Sequence, residues 1–269
     1  MIDPSALLVA YDTQVRAAES GTLPPQAVAE QDGPVLRVSG LHRGFLATPR
    51  DVGVRGPELD ALIARQRDWF AARGEAVEWK TRAHDEPADL CDRLLAAGFV
   101  PEETETVVVA RVEDVLGDVA LPDGVTVHQV SDPADMDRIA AMEGKVWDED
   151  QAWLAAELAD LVAVEPRHTF VFVAEAAGTG GAEIVSAAWI ILTAGTQFAG
   201  LWGGSTLAPW RGRGLYRALV AARARLAAEH GVRYLQVDAS DDSRPILERL
   251  GFVAITTTTP YVWTPPASG

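Results

Sequence analysis

Cysteine, positive charge and long apolar runs are scarce in this chain, and each shortage excludes a class of protein. The 269 residues contain one cysteine, Cys91, which excludes an internal disulfide and a cysteine-rich metal site. Lys and Arg number 23 against 39 Asp and Glu, a formal net charge of −16. Neither nucleic acid nor an anionic membrane is expected as a partner, because both require a basic surface. Any anion site must therefore be local.

The sequence shows no pattern from which a membrane span or a signal peptide is expected. No apolar run approaches the ~20 residues of a membrane-spanning helix. The first stretch, "MIDPSALLVAYDTQVRAAE", has no basic region of the kind that begins a signal peptide. The apolar neighbours of Cys91 favour a buried structural thiol over a nucleophile, and one cysteine fits a reducing compartment. We expect a cytoplasmic protein without a metal site.

The second half of the chain alternates strand and helix patterns, which predicts an α/β fold with a mixed sheet. "GVTVHQV" is a β-rich run, followed by two helical segments of which the first is capped by Ser131 or Asp132. "TFVFVAEA" and "EIVSAAWIILTA" predict a hairpin, and "QFAGLWGGST" predicts a third strand. A helix over Leu215–Glu229 ends at Gly231, and a strand, a short helix and "AITTTTPYVW" close the chain.

The first half contains a fainter copy of this ending. "GVRGPELDALIARQRDWFAARGEAVEWK" aligns with "PWRGRGLYRALVAARARLAAEHGVRYLQ", with Gly74 on Gly231. Further on, the Gly-Phe at 98–99 aligns with the Gly-Phe at 251–252. Self-similarity at half the chain length predicts a duplicated unit, although any amphipathic helix followed by a strand gives some similarity. We predict an N-terminal domain over residues 1–115, a linker over 116–124 and a C-terminal domain over 125–269.

The loop "WRGRGLYRAL" combines the features of an anion site. The N-terminus of a helix exposes unpaired backbone N–H groups and a partial positive charge. Gly212 and Gly214 allow the backbone to approach a ligand closely, and neighbouring arginines add charge-assisted hydrogen bonds to phosphate. A plain strand-to-helix connection with solvated arginines is the alternative for a loop of this composition.

The loop and the end of the chain together resemble the GNAT superfamily of acyl-CoA-dependent N-acetyltransferases. The family pattern [QR]-x-x-G-x-[GA], often within R-G-x-G-[LIV], is similar to the block from Arg211 to Leu215. The family's later strand and short helix ending in Leu-Gly-Phe is similar to "LQVDASDDSRPILERLGF". The resemblance covers the second half and implies a GNAT-like C-terminal domain, with a smaller, degenerate GNAT-like domain before it.

The resemblance also implies a donor, a reaction and a set of binding residues. The donor is acetyl-CoA, and an amine of a small molecule or a peptide attacks the thioester directly, without an acyl-enzyme. A strand amide acts as the oxyanion donor. The strand end is expected to diverge from its neighbour and pair with the pantetheine arm, and the loop amides to hold the pyrophosphate. The expected CoA-binding residues are Ser205, Thr206, Leu207, Arg211, Gly212, Arg213, Gly214, Leu215, Tyr216, Ser240 and Ser243.

Departures from the family pattern affect the chemistry more than the binding. Pro209 stands at the usual Gln or Arg, and Leu247 stands where a tyrosine commonly protonates the CoA thiolate. "QFAGLWGGST" has no glutamate where many members keep a base for the amine. Tyr261 is the candidate acid, with a structural phenol as the alternative, and Asp238 is the candidate base. Ser243 either contacts CoA or caps the following helix.

Further alternatives follow from the same residues. A dinucleotide-binding oxidoreductase is disfavoured because its third fingerprint glycine falls on Arg217. A catalytically silent acyl-CoA sensor is the stronger alternative to an enzyme. The N-terminal copy reads Arg-Gly-Pro-Glu, and a carboxylate at its helix start would repel pyrophosphate, so we expect this copy not to bind CoA. Five tryptophans either line an acceptor pocket or pack the core: Trp147, Trp153, Trp189, Trp202 and Trp210.

Overall fold

The computed structural model describes residues 3–18, 23, 26–178 and 181–266. These residues form two compact units. The first unit comprises Met1–Val108, Asp238–Pro245 and Val253–Gly269. The second unit comprises Val109–Val237 and Ile246–Phe252. No helix among the described residues is long and apolar enough to cross a membrane.

Helices and strands alternate along the chain. The α-helices are α1 (Pro4–Gln14), α2 (Gly56–Ala71), α3 (Leu90–Ala96), α4 (Val112–Val115), α5 (Pro133–Trp147), α6 (Ala152–Val164), α7 (Leu215–Glu229) and α8 (Arg244–Arg249). The strands are β1 (Val28–Asp32), β2 (Val35–Ser39), β3 (Gly44–Ala47), β4 (Val77–Arg82), β5 (Val100–Pro101), β6 (Glu105–Arg111), β7 (Val125–Val130), β8 (Thr169–Gly178), β9 (Gly181–Leu192), β10 (Phe198–Thr206), β11 (Tyr234–Ala239) and β12 (Val253–Trp263).

In the first unit the strand order is β1-β2-β3-β4-β12. Strands β3 and β4 are parallel, and the other neighbours are antiparallel. The final strand β12 pairs with both β4 and the short β5. Helices α2 and α3 bury their apolar faces in the core, which contains Phe70, Trp79 and Phe99. This unit therefore includes the last strand of the chain as well as its first half.

In the second unit the strand order is β11-β10-β9-β8-β7. Strands β10 and β11 are parallel, and the remaining pairs are antiparallel. The hairpin predicted for β8 and β9 is present, and its turn residues 179 and 180 lie outside the described residues. Helices α5 and α6 pack on one face through Met136, Ile139 and Leu158. Leu215, the first residue of α7, packs in a separate cluster with Val185 and Ala174.

Local signals in the sequence place several helix ends correctly. Asp132 caps α5 by accepting a 3.1 Å hydrogen bond from the Ala134 amide, and Pro133 occupies the first turn. Helix α7 spans Leu215–Glu229 as predicted. Gly231 follows it with φ of 71°, a left-handed conformation that glycine adopts without a steric penalty.

The glycines that align between the two halves share backbone conformations. Gly74 and Gly231, which follow α2 and α7, have φ of 69° and 71°. Gly98 and Gly251, which follow α3 and α8, have φ of 90° and 98°. A duplicated unit predicts this agreement, although a left-handed glycine is also the common stop of unrelated helices. The domain boundaries 1–115, 116–124 and 125–269 stay a prediction. They are drawn from sequence similarity, whereas the compact units are defined by packing, so the units do not test them.

Candidate active site

The parallel strands β10 and β11 pair over only part of their length. The paired residues run from Phe198 with Tyr234 to Gly200 with Gln236. Strand β10 continues to Thr206, still paired with β9 on its other side. The expected divergence of the two strands is therefore present and begins after Gly200. It leaves backbone groups of β10 along one edge, where an extended ligand can add as a further strand.

A β-bulge lies in the diverging part of β10. The pairing with β9 passes from Gly203 opposite Ala188 directly to Ser205 opposite Ala187. Gly203 and Gly204 both have positive φ, 66° and 96°. A Cβ added to Gly203 would lie 2.5 Å from the Trp189 ring. Both glycines are therefore required by conformation, and the Trp189 ring leaves no room for a side chain at the first.

The loop after β10 leads into α7 through two left-handed glycines. Gly212 has φ of 74°, and Gly214, the N-cap residue, has φ of 86°. In the described part of the chain no side chain caps this helix end. The first intrahelical hydrogen bond runs from the Ala218 amide to the Gly214 carbonyl at 3.0 Å. The first turn of a helix has N–H groups without intrahelical partners, and this arrangement suits an anion.

Three exposed arginines surround this helix end. The Nε of Arg211 donates to the Thr206 carbonyl at 3.0 Å, which ties the loop to the end of β10. The Arg213 guanidinium lies 5.0 Å from the centre of the Trp210 ring. Arg217 lies next to Gly214, since a Cβ on that glycine would be 3.6 Å from the Arg217 Nη2. The loop is both preorganised and positively charged.

The corresponding loop of the first unit differs in its electrostatics. Arg55 precedes α2, and its guanidinium forms a 2.8 Å ion pair with Asp51. The same carboxylate accepts a 2.8 Å hydrogen bond from the Gly53 amide. Hydrogen bonding from Arg55 lowers the pKa of Asp51 to about 2. The cation of this loop is therefore already paired with a carboxylate of the protein.

Arg223 lies beneath the bulge, on the buried side of α7. Its side chain is 2% exposed, and no carboxylate among the described residues pairs with it. The guanidinium donates to the carbonyl oxygens of Trp189 and Trp202, both at 3.1 Å, and to its own helix at Leu219. Burial lowers the pKa of Arg223 to about 10. Three carbonyls take the place of a counter-ion and hold the strands at the bulge.

Glu143, on α5, is a second buried charged group in this unit. It is 3% exposed, and its Oε2 accepts a 2.9 Å hydrogen bond from the Trp147 indole. Its Oε1 is buried without a hydrogen-bond partner among the described residues. Burial raises the pKa of Glu143, while hydrogen bonds from the Ser205 hydroxyl and Trp147 oppose the rise. A carboxyl group thus lies against the bulged segment of β10.

Neither Glu143 nor Arg223 was selected from the sequence, although both carry a detectable signal. Glu143 occupies an apolar position of α5, four residues after Ile139. Arg223 likewise falls on the apolar face of α7, four residues after Leu219. A charged residue at a core position of an amphipathic helix requires a specific partner. The partners themselves are set by tertiary packing.

The predicted base, Asp238, belongs to the first compact unit. Its Oδ2 accepts from the Lys80 ammonium at 2.7 Å. Burial disfavours the charge of Lys80, but Asp238, Glu78 and Glu105 keep its pKa above the ordinary value. Burial also raises the pKa of Glu105 to about 7 against the opposing effect of Lys80. Asp238 is therefore part of a charged cluster, and its role as a base stays a prediction.

The predicted acid, Tyr261, lies in the hydrophobic core of the first unit and is 8% exposed. Burial and a hydrogen bond with Cys91 raise the pKa of its phenol to about 12. Ser240 and Ser243 belong to the same unit, with their hydroxyls 3.2 Å apart at the start of α8. Leu247 is fully buried. The roles of the tyrosine and both serines stay predictions.

The tryptophans divide between surface and interior. Trp147 and Trp202 are 62% and 48% exposed, and Trp153 is 37% exposed. Trp189 and Trp210 are partly buried and pack against the two cores of the second unit. Among the described residues no group of three or more His, Cys, Asp or Glu side chains is arranged to hold a metal ion.

Comparison with known proteins identifies a family model that matches part of this chain. Residues 135–252 match the model of the acetyltransferase (GNAT) family. They contain most of α5, all of α6 to α8, the bulged strand and the glycine loop. The chain therefore contains a GNAT acetyltransferase domain, and its class of enzyme is the acyltransferases, as the sequence predicted. Acyl transfer from acyl-CoA is the reaction of this family. No curated protein matches the chain.

Solved structures match over almost the whole chain. A GCN5-related N-acetyltransferase from Kribbella flavida is 20% identical, with a TM-score of 0.69 over 94% of this chain and 95% of that one. A tandem GNAT protein from the clavulanic acid biosynthesis pathway is 14% identical, with a TM-score of 0.62 over 96% and 88%. A GCN5-related N-acetyltransferase from Sphaerobacter thermophilus is 16% identical, with a TM-score of 0.61 over 99% and 95%. These matches confirm the predicted GNAT-like fold.

Proposed function

We propose that this protein transfers the acetyl group of acetyl-CoA to an amine by direct attack in a ternary complex. The observation that carries the proposal is the uncapped N-terminus of α7, which follows the diverging edge of β10 through Gly212 and Gly214. A strand edge and an anion site in this order suit a ligand that has an amide-containing arm joined to a pyrophosphate.

The amides from Gly212 to Tyr216 hold the pyrophosphate in this proposal. An anion at a helix N-terminus gains about 0.3–1 kcal/mol from the helix dipole, in addition to its hydrogen bonds. Arg211 and Arg213 flank the phosphates, and the edge from Ser205 to Leu207 pairs with the pantetheine arm.

The oxyanion donor that we assign is the Gly203 amide. The carbonyl of the preceding residue, Trp202, accepts a hydrogen bond from Arg223. Because a trans peptide is planar, the Gly203 N–H points away from that bond. An arginine on the carbonyl also polarises the peptide and strengthens its N–H as a donor. The amide is therefore suited to the negative charge that develops on a thioester oxygen.

The acceptor in this proposal is an amine of a small molecule or a peptide. The net charge of −16 attracts cationic amines over a distance. Cys91 is partly buried beside the core of the first unit, which suits a structural thiol rather than an acyl carrier. The loop at Arg55 does not bind CoA, because Asp51 already pairs with that arginine and Glu58 adds negative charge at the helix start.

Thiol release from acetyl-CoA tests this function. The acceptor panel consists of spermidine, kanamycin, glucosamine, lysine and a tripeptide with a free N-terminus. We expect release with at least one amine, intersecting initial-rate patterns, and one CoA bound per chain by calorimetry. Parallel initial-rate patterns would contradict direct attack, and two CoA equivalents would contradict the silent N-terminal loop.

A CoA sensor is the second candidate. It is favoured by the absence of a glutamate from β10, where many family members keep a base, and by the buried Leu247 at the position of the usual acid. Both the acetyltransferase and the sensor should be stabilised against heat by CoA, and a protein that does not bind CoA should not. Stabilisation without turnover on the whole panel favours the sensor. The absence of any stabilisation contradicts both.

A further inference from the structure

Strand β10 lacks a carboxylate, but α5 brings one to the same face of the sheet. Trp202 pairs with Trp189 and Ser205 pairs with Ala187 across the bulge. Directly opposed residues of an antiparallel pair project from the same face. Ala187 and Trp189 pack against the residues of α5 and α6. Trp202 and Ser205 therefore face α5, on which Glu143 is located.

The surroundings of Glu143 differ from those of a structural ion pair. Its carboxyl is 3% exposed, with Oε1 buried and without a partner among the described residues. The groups that act on it from its own helix and from β10 are the Trp147 indole and the Ser205 hydroxyl, both uncharged. No cation within the described ranges offsets the carboxylate, so burial in this form costs free energy. Such a cost is common at functional sites.

Ser205 lies on the ligand-binding edge of β10, and its position opposite Ala187 places it on the face of the sheet that α5 covers. The residue is partly exposed, and its backbone carbonyl is fixed by a 2.6 Å hydrogen bond from the Ser186 hydroxyl. A hydroxyl can accept one proton while it donates another. Ser205 can therefore pass a proton from a ligand to a carboxylate that the ligand does not contact.

We propose that Glu143 receives the proton lost by the acceptor ammonium, with the Ser205 hydroxyl as the relay. This inference rests on the proposed function. The ammonium passes one proton to Ser205, which passes its own to Glu143. The free amine attacks the thioester carbon, the C–N bond forms and the C–S bond breaks. The thiolate leaves with the electron pair and receives the second nitrogen proton, and Glu143 then releases its proton to water.

The test compares two amines in Glu143→Gln and in a matched control. Glu149→Gln removes an exposed carboxylate just beyond the end of the same helix. With an alkylamine, which is protonated at neutral pH, we expect Glu143→Gln to reduce kcat/KM by about 10²–10⁴-fold. With an arylamine, which is already neutral, we expect a change of less than about 5-fold. Glu149→Gln should match the wild type with both amines.

The pH profile separates proton transfer from a structural role. A carboxylate base must be ionised, so wild-type kcat/KM rises with pH through the pKa of Glu143. This rise in kcat/KM should be absent in Glu143→Gln. The rate of that variant with the alkylamine should instead follow the ionisation of the amine near pH ~10. Equal losses with both amines and an unchanged profile would show a structural role and overturn the proposal. Full activity with both amines would overturn it as well.

If Glu143→Gln does not fold, the variant Trp147→Phe tests the role of Glu143 instead. This variant keeps an aromatic ring but removes a hydrogen bond that lowers the pKa of Glu143. The rising limb should therefore move to higher pH, and an unmoved limb would refute the proposal. If the wild-type protein binds CoA but releases no thiol with any amine, this result contradicts the proposed acetyltransferase function. The assignment of Glu143 as a base is then overturned as well, because it rests on that function.

Discussion

The guanidinium of Arg223 donates a 3.1 Å hydrogen bond to the carbonyl oxygen of Trp202, immediately before the bulge of β10. The bulge interrupts the regular pairing with β9, and a partly buried carbonyl left without a donor is costly. Arg223 supplies that donor and binds the Trp189 carbonyl at the same time. The shape of the diverging strand thus depends on a residue of α7.

Replacing Arg223 with methionine should lower both stability and catalysis. Methionine fills similar space but donates no hydrogen bond. The Trp189 and Trp202 carbonyls are partly buried, so the loss of their donor should cost at most about 1–3 kcal/mol each. Denaturant unfolding measures this loss. In bound acetyl-CoA, the infrared carbonyl stretch should move to higher frequency than in the wild type, because the Gly203 amide is less polarised. An unchanged stretch with reduced stability would limit Arg223 to a structural role.

Gly214→Ala should weaken CoA binding, and Gly231→Ala is the matched control. Both glycines have positive φ, 86° and 71°, at opposite ends of α7. Alanine in this conformation costs about 1–2 kcal/mol, so both variants should lose similar stability. Only Gly214→Ala alters the backbone that holds the pyrophosphate, and its Kd for CoA should rise at least about 10-fold. Equal CoA affinities by calorimetry would argue against this loop as the phosphate site.

Glu105→Gln should remove a pH-dependent loss of stability. Burial raises the pKa of this carboxyl to about 7, above its ordinary value of 4.5. The folded protein therefore binds the proton more tightly than the unfolded chain does. The resulting stabilisation is complete below about pH 4.5 and is lost as pH rises to about 7. Urea unfolding between about pH 4 and 8 should show a shallower decline in the variant, and identical slopes would contradict the assignment.

Tyr261→Phe should change alkaline stability. The pKa of the phenol is raised from 10 to about 12, so the folded state holds this proton more tightly. Its stabilisation is present below pH 10 and is lost as pH rises towards 12. The variant should show less alkaline destabilisation between about pH 9 and 11. Thiol release at neutral pH tests the predicted role of Tyr261 as an acid. Phe cannot replace a proton donor to CoA, but it can replace a phenol that only packs the core.

Several site features could be predicted because they depend on neighbours in sequence. The start of α7 and the glycines around it are set by backbone conformation and by helix periodicity. The negative charge of Glu58, where the C-terminal loop has Gly214, also separates the two loops without reference to any other segment.

Other features could not be predicted, because their partners are distant in sequence. Asp238 is selected as a base by its position at a strand end, yet its partner Lys80 is 158 residues away. The strand that contains Tyr261 pairs with β4 of the first unit. Strand pairing of this kind depends on the arrangement of the whole sheet.

The sequence by itself determined the α/β class, the duplicated pattern and the glycine loop before α7, because each is encoded by local periodicity and conformational preference. Only the tertiary structure decided which buried charges lie at the bulge. The carbonyls that Arg223 binds on β9 and β10 are 34 and 21 residues away in the chain. The pKa of Glu143 is likewise raised by burial and lowered by a hydroxyl, that of Ser205, which belongs to a distant strand. Burial removes water from a charged group, so its properties follow from whatever the fold places beside it.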